Sequence, residues 1–388
     1  MNGETLALYV HWPFCVSKCP YCDFNSHVRV SLDQGEWRNA LLADLVSEAE
    51  RLPERRLTSI FFGGGTPSLM EPATVAAIID AARSYWSADD KIEITLEANP
   101  NSVEAARFAD LAKAGVNRVS LGLQSFDDRA LAFLGRAHST REGFAALATA
   151  QKHFRRVSFD LIYALPGDTE DSWSATLAQA LSLGTSHLSL YQLTIEPGTR
   201  FASMVARHEF EPLDPDAAAA LFELTDTMAS AGGLPAYEIS NHARPGQESR
   251  HNLTYWRYGD YAGIGPGAHG RRLGARTVRH RKPENFLSAI ARNGSGIAEE
   301  ATLARAEAAD EALVMGLRLA EGVDVDAIAE RFALPDIVDW GRVERLFASG
   351  HLRREGPRLA LTASGRLVLD HILGEIAVVA KPKALAVG

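Results

Sequence analysis

Six short runs rich in β-branched and aromatic residues recur through the first half of the chain, at 6–10, 59–62, 93–97, 118–123, 157–163 and 188–194. Segments of helical periodicity separate them near 36–51, 72–86, 103–114, 140–154 and 170–183. Strict alternation of strand and helix leaves few folds open. A crossover helix between neighbouring strands makes those strands parallel, and continuous apolar runs fit a sheet buried on both faces. Six units fall short of a closed eight-unit barrel, so the expected α/β architecture is a partial (β/α)6, TIM-like barrel. Polar and glycine-rich residues that follow each run then collect at the carboxyl ends of the strands, where such sheets bind ligands.

The alternation stops near residue 200. Asp214–Gly232 reads as a helix closed by Gly-Gly, and 241–283 as an irregular stretch loaded with Gly, His, Arg, Tyr and Trp. From about 303, helical segments at 306–321, 324–332 and 336–349 precede Leu352–Arg354, a turn at Glu355-Gly356-Pro357, and Arg358–Leu361. That pattern resembles a winged helix. The expected domains are a barrel over 1–200, an irregular linker and ligand-cavity region over 201–300, and a C-terminal α+β, winged-helix-like domain over 301–388. Nucleic-acid binding is disfavoured by the net charge of −9 and by the mixed signs of Asp339, Arg342, Glu344 and Arg345. A docking or lid role suits the module better.

All three cysteines lie just after the first run, as C-x₃-C-x₂-C at Cys15, Cys19 and Cys22. An odd number so crowded argues against a disulfide framework and for a metal or redox site in a reducing compartment. The first residues show no basic n-region, and no apolar stretch approaches the roughly 20 residues of a membrane span, Ile376–Ala380 being far too short. The expected location is cytoplasmic. Pro13 and Pro20 discourage a regular helix, which leaves the segment free to wrap a cluster. Three thiolates can hold three irons of a cubane [4Fe–4S] cluster and leave the fourth open to a chelating ligand. On spacing alone a structural Cys₃His zinc site, with His11 or His27 as fourth ligand, stands as the alternative.

This motif, with the aromatic Tyr21 before its third Cys and its place after the first strand of a partial barrel, resembles the radical S-adenosylmethionine (SAM) superfamily. The resemblance implies a [4Fe–4S] cluster on Cys15, Cys19 and Cys22, with SAM chelating the open iron. It further implies that an electron from the reduced cluster cleaves the sulfonium to a 5′-deoxyadenosyl radical. SAM contacts are then implied for Tyr9, Tyr21 and Phe24, for Gly64, Gly65 and Thr66 of Gly63-Gly64-Gly65-Thr66-Pro67, and for Glu97, Gln124, Arg136 and Asp160 at strand ends. Their chemistry suits that role: glycines admit close backbone approach, carboxylates take ribose hydroxyls or an ammonium, and an Arg fork pairs a carboxylate. Taken singly, each is equally a cap or a surface pair.

Tyr9-Val10-His11-Trp12-Pro13-Phe14-Cys15 and Asp160-Leu161-Ile162-Tyr163-x-Leu165-Pro166-Gly167 are similar to the oxygen-independent coproporphyrinogen III dehydrogenase group. Two branches differ at one position. The dehydrogenase has a fourth Cys where this chain has Phe24, and its longer N-terminal segment has no counterpart in the 14 residues before Cys15. The haem-chaperone branch of the HemW type has C-x₃-C-x₂-C-x-F and His-Asn-x-x-Tyr-Trp, here His251-Asn252-Leu253-Thr254-Tyr255-Trp256. That resemblance implies haem as cargo, haem-accepting respiratory proteins as partners and a peripheral association with the inner membrane. His251, Tyr255 and Trp256 are the implied haem residues. His269, in Gly263-Ile264-Gly265-Pro266-Gly267-Ala268-His269, is a second candidate on an element read as strandless and facing the ligand cavity. Against ligation stands a plainer reading, in which His251 and Asn252 brace a turn over Tyr255 and Trp256. Three functions remain: haem delivery, coproporphyrinogen decarboxylation, and a zinc-containing regulator.

Overall fold

Each of the six runs is a strand in the computed structural model, which describes residues 5–29 and 31–377. They are Thr5–Trp12, Arg56–Gly64, Ser87–Ala98, Arg118–Gln124, Arg156–Tyr163 and His187–Gln192, hydrogen-bonded in that order and all parallel. Leu6, Ala7 and Leu8 are consecutive and wholly buried, as a sheet covered on both faces requires. The covering helices are Gln34–Arg51, Pro72–Tyr85, the short pair Ser102–Ala105 and Phe108–Lys113, Thr140–His153 and Glu170–Ser182. Ser139 with Glu142, and Thr169 with Ser172, form capping boxes that start the last two helices.

The region expected to be irregular adds strands to the same sheet. Asn241–Ala243 runs antiparallel to His187–Gln192 at one edge. At the other, Tyr261–Ile264 lies parallel to Thr5–Trp12, and His269–Arg272, Ala275–Arg279 and Ile297–Thr302 follow antiparallel, giving eleven strands among the described residues. The Gly263–His269 segment therefore does have a strand leading into it. Its glycines misled because they serve close approach: a Cβ on Gly263 would lie 1.8 Å from the carbonyl oxygen of His269.

Beyond this sheet, Arg305–Leu317, Val325–Phe332 and Trp340–Ala348 pack on a three-stranded sheet of Val323–Asp324, Leu352–Glu355 and Arg358–Leu361. Ala363–Leu367 and Leu369–Ile376 close this winged-helix-like module. It has its own apolar core, centred on Leu313, Leu317, Val343 and Ile372, and Tyr258 reaches into that core from the barrel side. Residues 378–380 of the C-terminal apolar run lie outside the described residues.

Candidate functional site

A cavity of about 390 Å³ opens at the carboxyl ends of the parallel strands. Cys15, Cys19, Cys22, Tyr21 and Phe24 line it from the cysteine loop, Gly64, Gly65 and Thr66 from the second strand and its turn, and Glu97, Gln124, Arg136 and Asp160 from the following units. Tyr9 does not. Its hydroxyl lies 2.9 Å from His11 Nδ1, behind the cysteine loop.

Local geometry explains the glycines. Gly64 has φ +112°, and a Cβ there would meet the His11 ring at 2.6 Å. One on Gly65 would lie 2.8 Å from the Phe14 carbonyl and 3.0 Å from Cys15 Sγ, so the loop seats on bare backbone. Thr66 Oγ1 reaches Cys15 Sγ at 3.5 Å, and Arg136 Nη1 reaches Cys19 Sγ at 3.5 Å. Arg136 Nη2 donates to Asn99 Oδ1 (2.5 Å) and to the Gly122 carbonyl (2.9 Å), while its Nε is buried with no partner.

Two acids face the same space. Burial first, and the neighbouring Asp160 charge second, push the Glu97 carboxyl up to about 8, against one hydrogen bond from the Gly64 N–H at 3.2 Å. Burial likewise pushes Asp160 up to about 6, although Ser189 and Ser120 donate to it, Ser120 Oγ at 3.1 Å. Neither acid forms an ion pair among the described residues; the Arg136 and Arg118 charges pull Asp160 back down, while no cation acts on Glu97. The donor set fits a three-thiolate cluster: three free, half-buried thiols share one cavity with the Arg136 guanidinium and two carboxyls raised by burial. It does not fit the Cys₃His zinc site expected with His11 or His27 as fourth ligand. Neither His11 nor His27 lines the cavity, and the nitrogens turned toward Asn25 are occupied, His11 Nε2 by its carbonyl and His27 Nε2 by its Oδ1.

Residues 9–180 match the Radical SAM superfamily, and 303–368 match the HemN C-terminal domain. The chain is 40% identical to the mitochondrial radical S-adenosyl methionine domain-containing protein 1 of Mus musculus, over 95% of this chain and 86% of that protein. It is 37% identical to the heme chaperone HemW of Escherichia coli, over 95% and 97%. The chain belongs to the radical SAM superfamily. Its relatives place it in the HemN/HemW-type group. Coproporphyrinogen III oxidase (HemN) from Escherichia coli shares the fold, with a TM-score of 0.80 at 22% identity over 96% of this chain and 90% of that one. Radical SAM membership implies the cluster and SAM.

The His-Asn-x-x-Tyr-Trp motif of this radical SAM chain lies elsewhere, at the amino ends of the strands. His251 sits in the first turn of the helix Arg250–Trp256, which Ser249 caps. Its backbone N–H donates to Glu93 Oε1 at 3.2 Å, its Nδ1 lies 2.9 Å from Ser59 Oγ and its Nε2 2.5 Å from the Tyr255 hydroxyl. The ring is 1% exposed and stacks on Phe61 with centroids 4.9 Å apart. Burial lowers its pKa to about 3, so it is neutral. Both ring nitrogens have partners within the protein, the arrangement of the plainer reading in which His251 braces a turn. Tyr255 packs edge-on against Tyr261, and the Arg318 guanidinium covers Trp256 at 4.6 Å. The expected placement of Gly263–His269 also changes. This turn backs the cysteine loop instead of facing the cavity, and His269 is exposed on the strand that follows it.

Asn99, Ser120 and Tyr191 complete the cavity and escaped the sequence reading. Asn99 bridges Arg136 to Thr66 Oγ1, to which it donates at 3.0 Å. Its position before Pro100 at a strand end is a usable signal. Ser120, Gly122 and Gln124 alternate along one strand and all face the cavity, a period-2 pattern of small and polar residues inside an apolar run. Glu104 is buried, accepting from the Asn99 N–H at 2.8 Å and from Asn101 at 2.7 Å, and its place three residues after the N-cap Asn101 is a usable signal.

Proposed function

We propose that this chain is a haem chaperone: it binds haem and passes it to acceptor proteins, with a [4Fe–4S] cluster on Cys15, Cys19 and Cys22 and SAM beside it in the same cavity. The observation that carries this reading is the cavity itself, where three thiols and no fourth meet Phe24, an unpartnered Arg136 Nε and the carboxyls of Glu97 and Asp160. Relatives named heme chaperone, 36–37% identical over nearly their whole length, supply the haem component. A cluster bound there supplies one-electron chemistry. The chain's own residues do the positioning: the Arg136 guanidinium meets a carboxylate, Glu97 and Asp160 meet cationic groups and ribose hydroxyls, and Gly64 and Gly65 admit the ligand to the backbone.

His269 is the accessible imidazole of the two expected ligands, and we assign it the haem contact in place of His251. Reduced thiols suit a reducing cytoplasm, with delivery to respiratory acceptors at the inner membrane surface. No helix among the described residues is long and apolar enough to cross a membrane.

Anaerobic reconstitution followed by iron, sulfide and haem quantification tests the proposal. The expected result is about four irons and four sulfides per chain, a Soret band on haem titration that weakens in His269→Ala, and loss of the cluster in Cys19→Ser. Zinc without acid-labile sulfide would sink it, and protoporphyrinogen IX formed from coproporphyrinogen III would identify the dehydrogenase instead.

A further inference from the structure

The cysteine loop has little regular structure of its own: between Pro13 and Arg29 only Phe14–Cys15 and His27–Val28 are strand, two residues each. Such a segment keeps its place through what holds it from outside. Asn25, three residues after Cys22, is where that hold converges. Its Nδ2 donates to the carbonyls of Pro266 at 2.9 Å and Arg281 at 3.0 Å, and its Oδ1 lies 3.3 Å from His27 Nε2. Its backbone carbonyl lies 3.0 Å from His11 Nε2, while the Tyr9 hydroxyl lies 2.9 Å from the other ring nitrogen. A neutral His11 that accepts from Tyr9 at Nδ1 carries its proton on Nε2 and donates to Asn25.

The receiving turn is shaped for this amide. Gly267, at φ +83°, would place a Cβ 2.3 Å from Asn25 Nδ2, and a Cβ on Gly265 would lie 2.3 Å from the His11 carbonyl. The turn is itself anchored, because the Gly265 and Gly296 N–H groups donate to buried Asp44 at 3.0 and 2.9 Å. Only a carboxamide offers two N–H bonds to two carbonyls and an acceptor to an imidazole from one short side chain.

We propose that Asn25 is the positioning residue of the cluster loop: it fastens the segment after Cys22 to the Gly265–Gly267 turn and to His11, and so limits how far water and oxygen reach the cluster. This rests on the cluster reading above. It also gives Tyr9 and His11, and the Gly-rich turn some 240 residues away, one shared task.

The full chain, reconstituted anaerobically, is assayed for iron and sulfide, for the EPR signal of the reduced cluster, and for the rate at which visible absorption is lost in air. Asn25→Ala and Gly267→Ala should each take up the cluster and bleach roughly tenfold faster, because two hydrogen bonds no longer close the loop. Asn25→Asp bleaches faster still, because a carboxylate would face two carbonyls. Thermal unfolding of the cluster-free variants checks folding, and if Asn25→Ala does not fold, Gly267→Ala decides alone, since its methyl displaces the same amide. Wild-type bleaching rates and EPR signals in the folded variants would overturn the proposal. Wild-type chain that takes up neither iron nor sulfide would overturn the cluster reading itself, a distinguishable failure.

Discussion

The two ends of the barrel use the same residue types for opposite purposes. At the carboxyl ends, Arg136 keeps an unpartnered Nε, and Glu97 and Asp160 are pushed up by burial, neither in an ion pair among the described residues. At the amino ends, Glu93 takes Arg156 at 2.5 Å, Arg118 at 3.7 Å and the His251 N–H, and His251 has a partner on each ring nitrogen. Residue identity does not separate a ligand site from a foundation. Satisfaction does: groups paired within the protein hold the floor shut, and groups left wanting await something from outside.

The largest expected difference between the ends is the sign of their pH dependence. Burial lowers His251 to about 3, so between there and the ordinary histidine value the unfolded chain binds the extra proton, and the floor's stability is lost on acidification. Glu97, raised to about 8, and Asp160, raised to about 6, hold protons that the unfolded chain releases near the usual carboxyl values. Stability of the ligand-free chain therefore falls as pH rises through that window. Thermal melts from pH 4 to 9 should show both limbs. Glu97→Gln should flatten the alkaline one, and SAM, a cation, should do the same for wild type. An alkaline limb that survives both would break the comparison.

Glu93→Ala comes next. It leaves Arg118 and Arg156 without their buried carboxylate and uncaps the His251 N–H, a loss of about 3–5 kcal/mol read by denaturant unfolding. A loss below about 1 kcal/mol would mean that the floor is not carried by this cluster. His251→Ala should cost about 2–4 kcal/mol through lost packing and hydrogen bonds, while the folded protein keeps its Soret band on haem titration. Loss of that band at unchanged stability would restore His251 as a ligand. The smallest effect belongs to Arg257→Ala. Its bidentate pair with Glu321, at 2.9 and 3.0 Å, joins the floor helix to the C-terminal module at an exposed site and should contribute less than about 1 kcal/mol in the same unfolding measurement.

Much of the first half was legible because strand and helix announce themselves in periods of a few residues. The six runs became strands in order, and Ser139 and Thr169 began helices where local capping chemistry says they should. Residues 241–302 were not legible in this way. Their strands are short, rich in Gly, His and Arg, and stabilised by neighbours far off in sequence, as when Tyr261 pairs with Ala7. His251 was not legible for a related reason: an imidazole beside two aromatics looks the same in sequence whether it awaits a metal or is already hydrogen-bonded.

Spacing along the chain alone determined the parallel sheet and the three thiols on one loop, since both are properties of near neighbours. Only the tertiary structure decided which distant polar groups share the cavity, and that His251 is spoken for by Ser59, 192 residues away. Burial and hydrogen-bond pairing belong to pairs of residues, and no stretch of sequence contains both members of such a pair.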